Sequence, residues 1–526
     1  MNYGFIIDNR KCIGCHACTV ACKSEHQVPV GVNRTWVKYV EKGEFPDTRR
    51  LFSVMRCNHC ADAPCVEICP VTALHTREDG IVDFDDRRCI GCKACTQACP
   101  YDALYMHPDS HTAAKCNYCT HRTDIGLEPA CVIVCPEHAI ISGDMDNPES
   151  EIARLLARET VSVRKPEKGT EPKLFYIDGD AVSLRPSETN PDTDYMWSSQ
   201  SSGVGHFARF AASRTAAGNE RTVPKKLHQI EPLEKKSARR VYDAPGKGVL
   251  WGWEVAAYIL TKAVAAGAFL LPIVAGFVTE VPKSVKQFGA LVSLIFLAVT
   301  GALLVKDLGK PTRFLYVLLR PQWRSWLTRG AYIITAFGGL LTIWLGLSFF
   351  GPNQLLTFIE LPASVFALLS AIYTAFLFAQ AKGRDFWQSP MLGLHMLIHS
   401  VMAGGAVLLL ATFVFRPGRE LGIPNLVEAL HYVLISSLAL HLVTLAIELT
   451  TTHSTEDAAT VVEMILKGRY KNLFWFGLVI AGNLLPLILL TYMWGGFAAP
   501  AGLLILVGLW ISQHIWVKAP QTIPLS

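Results

Sequence analysis

The chain of 526 residues reads as two successive folds: a small α+β metal-binding domain, then an all-α bundle of eight transmembrane helices. Three observations predict this. All 16 cysteines lie between residues 12 and 135, and the 391 residues after Cys135 (526 − 135) hold none. Those cysteines fall into four quartets of short internal spacing. From Trp251 onward, apolar runs long enough to cross a bilayer recur. The hydrophobic fraction of 51% and mean hydropathy of +0.28 are high for a soluble protein.

The quartets are Cys12, Cys15, Cys18, Cys22; Cys57, Cys60, Cys65, Cys69; Cys89, Cys92, Cys95, Cys99; and Cys116, Cys119, Cys131, Cys135. A disulfide scaffold would be short and secreted. The opening MNYGFIIDNRKC has no basic, apolar or twin-arginine leader pattern. Metal ligation is therefore the expected role. Groups one and three have the spacing C-x2-C-x2-C-x3-C, the bacterial ferredoxin ligand run, whose fourth cysteine ligates the other cluster of a pair. An internal repeat carries them: FIIDNRKCIGCHACTVAC (5–22) matches VDFDDRRCIGCKACTQAC (82–99). Groups two, three and four continue as C-P-x-x-A, with proline fixing the backbone where the chain leaves the ligands. Group four by itself is also compatible with zinc. Three cysteines at two-residue spacing crowd a tetrahedral ion, so groups one and three fit zinc poorly. Sixteen thiolates match four [4Fe–4S] clusters of four ligands each. The expected fold is an α+β double-ferredoxin iron–sulfur domain over residues 1–150.

Those motifs resemble the four-cluster electron-transfer subunits that accompany molybdopterin oxidoreductases of the dimethyl sulfoxide, polysulfide and nitrite type. The resemblance implies crossed ligation. Cys12, Cys15, Cys18 and Cys135 would hold one cluster, and Cys116, Cys119, Cys131 and Cys22 its partner. Cys57, Cys60, Cys65 and Cys99 would hold the third, and Cys89, Cys92, Cys95 and Cys69 the fourth. In that family the cluster built on group three usually stands closest to the membrane.

Residues 151–248 read as a polar linker or partner-wrapping arm. EIARLLARE (151–159) has the pattern of a short amphipathic helix, and LFYID (174–178) that of an edge strand. Residues 185–248 have linker composition, with Trp197, Phe207 and Phe210 as candidate partner contacts.

Residues 249–526 are expected to form the membrane domain, with spans at 253–278, 287–305, 330–350, 361–381, 389–415, 425–448, 472–494 and 497–517. Eight spans return the chain to its starting side. Loops on the cluster-domain side carry Lys306, Lys310, Arg313, Arg320, Arg324, Arg329, Lys382, Arg384, Lys467, Arg469 and Lys471. The opposite loops carry Lys283, Lys286, Arg416 and Arg419. This excess predicts a multi-pass inner (cytoplasmic) membrane protein with its cluster domain facing the cytoplasm; the periplasmic side is the alternative, since relatives can be exported with a partner that bears the signal.

LLVKDLGKPTRFLYVLLRPQWRSWLTRGAY (303–332) and YTAFLFAQAKGRDFWQSP (373–390) resemble blocks of the NrfD/PsrC family of quinone-reactive membrane subunits. Ionisable groups inside a bilayer are expensive and default to function. Glu254, Tyr258 and Lys262 recur at i, i+4, i+8 on one face of span one. With Asp307 at the end of span two, they are the candidate residues for quinone binding and protonation. His395 and His399 share a face of span five, and His431 and His441 lie on span six. Histidines on two spans raise a b-type haem, but the family resembled lacks haem, so a hydrogen-bonded or proton-relay role is expected. Glu360, Glu428 and Glu448 are expected at the interface.

The expected function is electron transfer and membrane anchoring in a respiratory complex. Four [4Fe–4S] clusters would relay electrons between a catalytic molybdopterin subunit and membrane menaquinone or ubiquinone. No catalytic pocket for a soluble substrate is visible in the sequence, and the formal charge of +5 gives no reason to invoke nucleic acid. A redox-driven proton-translocating complex, of the alternative complex III kind, is the competing reading. A non-redox transporter with a regulatory metal domain is disfavoured by the cysteine set.

Overall fold

The computed structural model describes residues 1–44, 46–189, 238–277, 280–414, 424–492 and 498–526. The chain divides into two compact units. The first comprises Met1–Leu250, Ala381–Arg384 and Gln521–Ser526, and the second Trp251–Gln380 with Asp385–Pro520.

The first unit is α+β. Its four-stranded sheet runs in the order Ile140–Asp144, Tyr3–Asp8, Leu174–Ile177, Val161–Ser162. Tyr3–Asp8 pairs antiparallel with Ile140–Asp144 and parallel with Leu174–Ile177. A three-stranded antiparallel sheet joins Ala238–Tyr242, Thr35–Lys42 and Arg49–Arg56. Two short hairpins, Leu74–Thr76 with Val82–Phe84 and Leu104–Met106 with Ala113–Lys115, follow the proline that closes quartets two and three. One core beneath the sheets gathers Phe5, Ile7, Trp36, Val54, Tyr118, Ile140 and Tyr176.

Two differences from the sequence reading stand out. Leu174–Ile177 is an interior strand, not an edge, because Val161–Ser162 covers its outer side. The expected linker from residue 151 is also narrower. Glu151–Arg158 is a helix capped by Ser150, which accepts from Ala153 N at 3.2 Å, and its Ile152 packs against Ile6 and Ile141. Residues 238–242 close a sheet. The helix is the one expected at 151–159; only the strand at 238–242, inside the stretch of linker composition, was hidden. Trp197, Phe207 and Phe210 lie outside the described residues.

The second unit is helical. Eight helices are long and apolar enough to cross a membrane among the described residues. Span one is Trp253–Ala275, span two Lys283–Lys306, span three Trp326–Phe350 and span four Asn353–Gln380. Span five is Leu392–Val414, span six Pro424–Thr450, span seven Leu473–Leu484 continued by Leu485–Tyr492, and span eight Ala498–Lys518. Span one is the central helix: 72% of its apolar window is buried, against 28% for span two. It packs on spans two, four, five and eight. Gly267 on span one and Gly404 on span five allow this, since a Cβ on Gly404 would lie 2.2 Å from the Gly267 carbonyl carbon. Small residues at such crossings are how bilayer helices gain contact.

Candidate functional site

The repeat seen in the sequence is also a backbone repeat. Gly14 and Gly91 take φ of 72° and 73° inside their C-I-G-C turns. His16 and Lys93 follow at 61° and 62°, and each begins a helix, Ala17–Glu25 and Ala94–Ala98. Left-handed backbone at both places turns the chain tightly enough for three successive cysteines to face one point. Cys18 and Cys95 then lie in the first helical turn, while Cys22 and Cys99 are carried onward.

Cysteines distant in sequence meet. Cys12, Cys15 and Cys18 line one recess with Cys135. Cys89, Cys92 and Cys95 line another with Cys69. The Cys22 thiol lies within electrostatic reach of Cys116 and Cys131, as does that of Cys119. Cys65 is similarly placed with Cys99, Cys57 and Cys60. Burial first, and then neighbouring sulfurs, push the Cys18 and Cys119 thiols up to about 12. Metal binding to such thiols must expel their protons.

The donor set fits iron–sulfur clusters better than zinc. Four thiolates on one zinc at about 2.3 Å stand about 3.8 Å apart. Among the described residues, no three cysteine sulfurs lie within 4.8 Å of one another. Backbone amides reach the sulfurs, with Ala139 N donating to Cys135 at 3.2 Å and Ala113 N to Cys89 at 3.4 Å. Hydrogen bonds of this kind tune cluster potentials.

Sequence reasoning missed the cations that accompany these sulfurs. Arg56 is fully buried, donates from Nη1 to Cys131 Sγ at 3.3 Å and stacks 4.4 Å from the Phe5 ring centroid. Lys115, equally buried, donates to the carbonyls of Val82 and, at 2.7 Å, Cys116. Both residues directly precede a cysteine, in MRC and AKC. That adjacency was the available signal.

In the bundle, the candidate residues divide. Lys262 is 1% exposed, donates to Thr374 Oγ1 and stands 4.1 Å from the Tyr373 ring centroid. Tyr258 is buried, with Tyr373 and Asp307 close enough to act on its phenol electrostatically. Glu254 instead faces Lys306 at 3.9 Å, and Lys306 covers the Trp253 ring at 4.3 Å. Tyr373 and Thr374 were not singled out, although they open the block 373–390. Gly330 on span three makes room for the tyrosine, since a Cβ there would lie 2.1 Å from its ring.

The bundle histidines form a second polar centre. His399 Nε2 meets His441 Nε2 at 3.0 Å, a contact that leaves no room for a haem between them. His431 instead bonds the Leu490 carbonyl. Glu448, expected at the interface, is 4% exposed and lies 3.0 Å from His395 Nε2. Lys286 pairs with Glu360 at 3.1 Å, and Glu428 is exposed.

Comparison with known proteins fits these features. The family model "Polysulphide reductase, NrfD" matches residues 244–517, more than half of the chain. The chain belongs to the NrfD family. Ahead of the NrfD region, two models of a 4Fe-4S dicluster domain match residues 11–74 and 48–145. A tetrathionate reductase subunit of Salmonella typhimurium is 45% identical over 188 residues, covering 35% of this chain and 75% of that protein. A polysulfide reductase component of Wolinella succinogenes is 43% identical over 180 residues, 33% of this chain and 93% of the relative. The iron-sulfur subunit of a putative dimethyl sulfoxide reductase from Halobacterium salinarum is 37% identical over 215 residues, 35% and 82% respectively. The chain thus joins an iron–sulfur region and an NrfD membrane region in one polypeptide.

Proposed function

We propose that the chain is the electron-transfer and membrane-anchor subunit of a respiratory reductase complex, linking a catalytic molybdopterin subunit to the quinone pool. The observation that carries this reading is the meeting of Cys135 with Cys12, Cys15 and Cys18, the crossed pattern of a cluster pair. Residues 1–150 would supply all ligands. One cluster would sit on Cys12, Cys15, Cys18 and Cys135, and a second on Cys116, Cys119, Cys131 and Cys22. A third would sit on Cys57, Cys60, Cys65 and Cys99, and a fourth on Cys89, Cys92, Cys95 and Cys69. Bound cubane clusters supply one-electron transfer without proton chemistry of their own. Arg56 and Lys115 offset the negative charge of their thiolates.

Quinone reduction or quinol oxidation moves two electrons and two protons. Lys262, Tyr258 and Tyr373 offer a buried ammonium and two phenols for the quinone oxygens. Asp307 and Glu254, nearer the ends of their helices, would exchange protons with water. The positive-inside excess supports a cytoplasmic cluster domain in the inner membrane.

Iron analysis of the purified chain should give about 16 irons, the content of four cubanes. Quinol should reduce the clusters, or quinone oxidise them, in membranes. Lys262→Met should abolish that exchange while leaving the cluster EPR signals intact; normal turnover would remove Lys262 from the quinone site.

A further inference from the structure

We propose that His395, His399 and His441 form a buried site for a zinc-class divalent cation, with the Glu448 carboxylate supplying compensating charge. Each imidazole offers one ligand nitrogen within 4.8 Å of the other two, and all three rings are buried. Nitrogens held at about 2.0–2.1 Å around a tetrahedral zinc stand about 3.4 Å apart. The 3.0 Å contact between His399 and His441 needs to open by a few tenths of an ångström to admit the ion.

The surroundings have the pattern of an outer ligand shell. Metal-bound histidines use their second nitrogen on a carboxylate, carbonyl or similar partner that fixes ring and tautomer. Here His441 Nδ1 meets Asn483 Oδ1 on span seven at 2.8 Å. The Gln513 amide nitrogen on span eight donates to His399 Nδ1 at 2.7 Å, and a flip of that amide on metal binding would turn its oxygen to the same ring nitrogen. His395 Nε2 faces Glu448 at 3.0 Å. Asn483 lies in the π-helical stretch Leu473–Leu484, and its amide donates to Leu478 O at 2.7 Å. π-helical backbone is rare and concentrates at functional sites.

A chain of hydrogen bonds from Gln513 through His399 and His441 to Asn483 would satisfy those four groups without an ion. It leaves Glu448 with His395 alone as a charged neighbour among the described residues, at 3.0 Å. Among the described residues, neither Glu448 oxygen has a hydrogen-bond donor, and the His395 contact lies off the hydrogen-bond direction. A carboxylate buried in a membrane bundle costs several kcal/mol unless a charge faces it, and the imidazole of His395 carries one only when protonated. A divalent cation on the three nitrogens removes that penalty, and imidazole donors select zinc or copper over magnesium or calcium. Three protein ligands leave a fourth position open. The ion would tie span five to span six, with spans seven and eight orienting its ligands.

The test uses the full-length chain with its clusters, purified in detergent, washed with chelator and then loaded with zinc alone. Elemental analysis should find one zinc per chain, and zinc-edge X-ray absorption should show an imidazole shell. The double variant His399→Gln/His441→Gln should lose the metal with iron content unchanged, and Glu448→Gln should weaken retention about tenfold or more. No zinc in the loaded protein, or a sulfur shell from the cysteines, overturns the proposal. Should the double variant fail to accumulate, the absorption spectrum of the unmodified chain decides between the same two outcomes.

Discussion

The two units bury positive charge in opposite ways. In the iron–sulfur unit, Arg56 and Lys115 lie against sulfurs and carbonyls of the cysteine segments. Their charge would be matched by the thiolates of the proposed clusters. In the bundle, Lys262 has a threonine hydroxyl and a tyrosine face for company. Dipoles and a ring quadrupole stabilise an ammonium but do not fix it as charged. One unit therefore locks charge in place to hold a cofactor. The other surrounds its buried lysine with neutral groups, the arrangement that the proposed quinone role would use.

Breaking the locked side should give the largest effect. Cys135→Ser is expected to remove the signal of one cluster otherwise built from residues 12–18, read by EPR and iron content. A zinc site confined to Cys116–Cys135 would predict no such loss. Arg56→Met comes next. Removing one partner of a buried charge pair costs on the order of 3–5 kcal/mol. Reduced iron retention and a lower thermal midpoint are expected, with Arg56→Lys recovering part of both. On the bundle side, Gly330→Ala should displace the Tyr373 ring and lower quinone turnover while cluster spectra stay unchanged. Overpacking of this kind costs about 1–3 kcal/mol.

The smallest effect lies where a half-exposed arginine reaches a buried carboxylate. The Arg10 guanidinium bonds the Asp8 carboxylate at 2.8 and 2.9 Å and holds it below its usual value of 3.8. A depressed carboxyl stabilises the fold above its unfolded value and loses that contribution as pH falls through its folded one. Arg10→Ala should move the acid limb of a stability–pH curve to slightly higher pH; an unmoved limb would make the pair inert.

Both folds were legible because their signals are local. Ligand spacing and the C-P-x-x-A punctuation mark the cysteine unit, and apolar length marks the spans. Helical period alone puts Glu254, Tyr258 and Lys262 on one face. It does not find their partners, because Tyr373 and Thr374 reach Lys262 across a helix crossing more than a hundred residues away. Glu448 misleads for the same reason: a carboxylate near a span end reads as interfacial until the neighbouring helix covers it. Leu174–Ile177 reads as an edge because the strand that flanks it, Val161–Ser162, is two residues long.

The recess shared by Cys12 and Cys135 also constrains synthesis. At about 5–20 residues per second, the 123 positions between them (135 − 12) take roughly 6–25 s to emerge from the ribosome. Strands Leu174–Ile177 and Ala238–Tyr242 follow before Trp253 opens the first span. All sixteen sulfurs thus leave the ribosome before the first span does, so cluster assembly on the proposed ligands has an interval that precedes completion of the membrane domain.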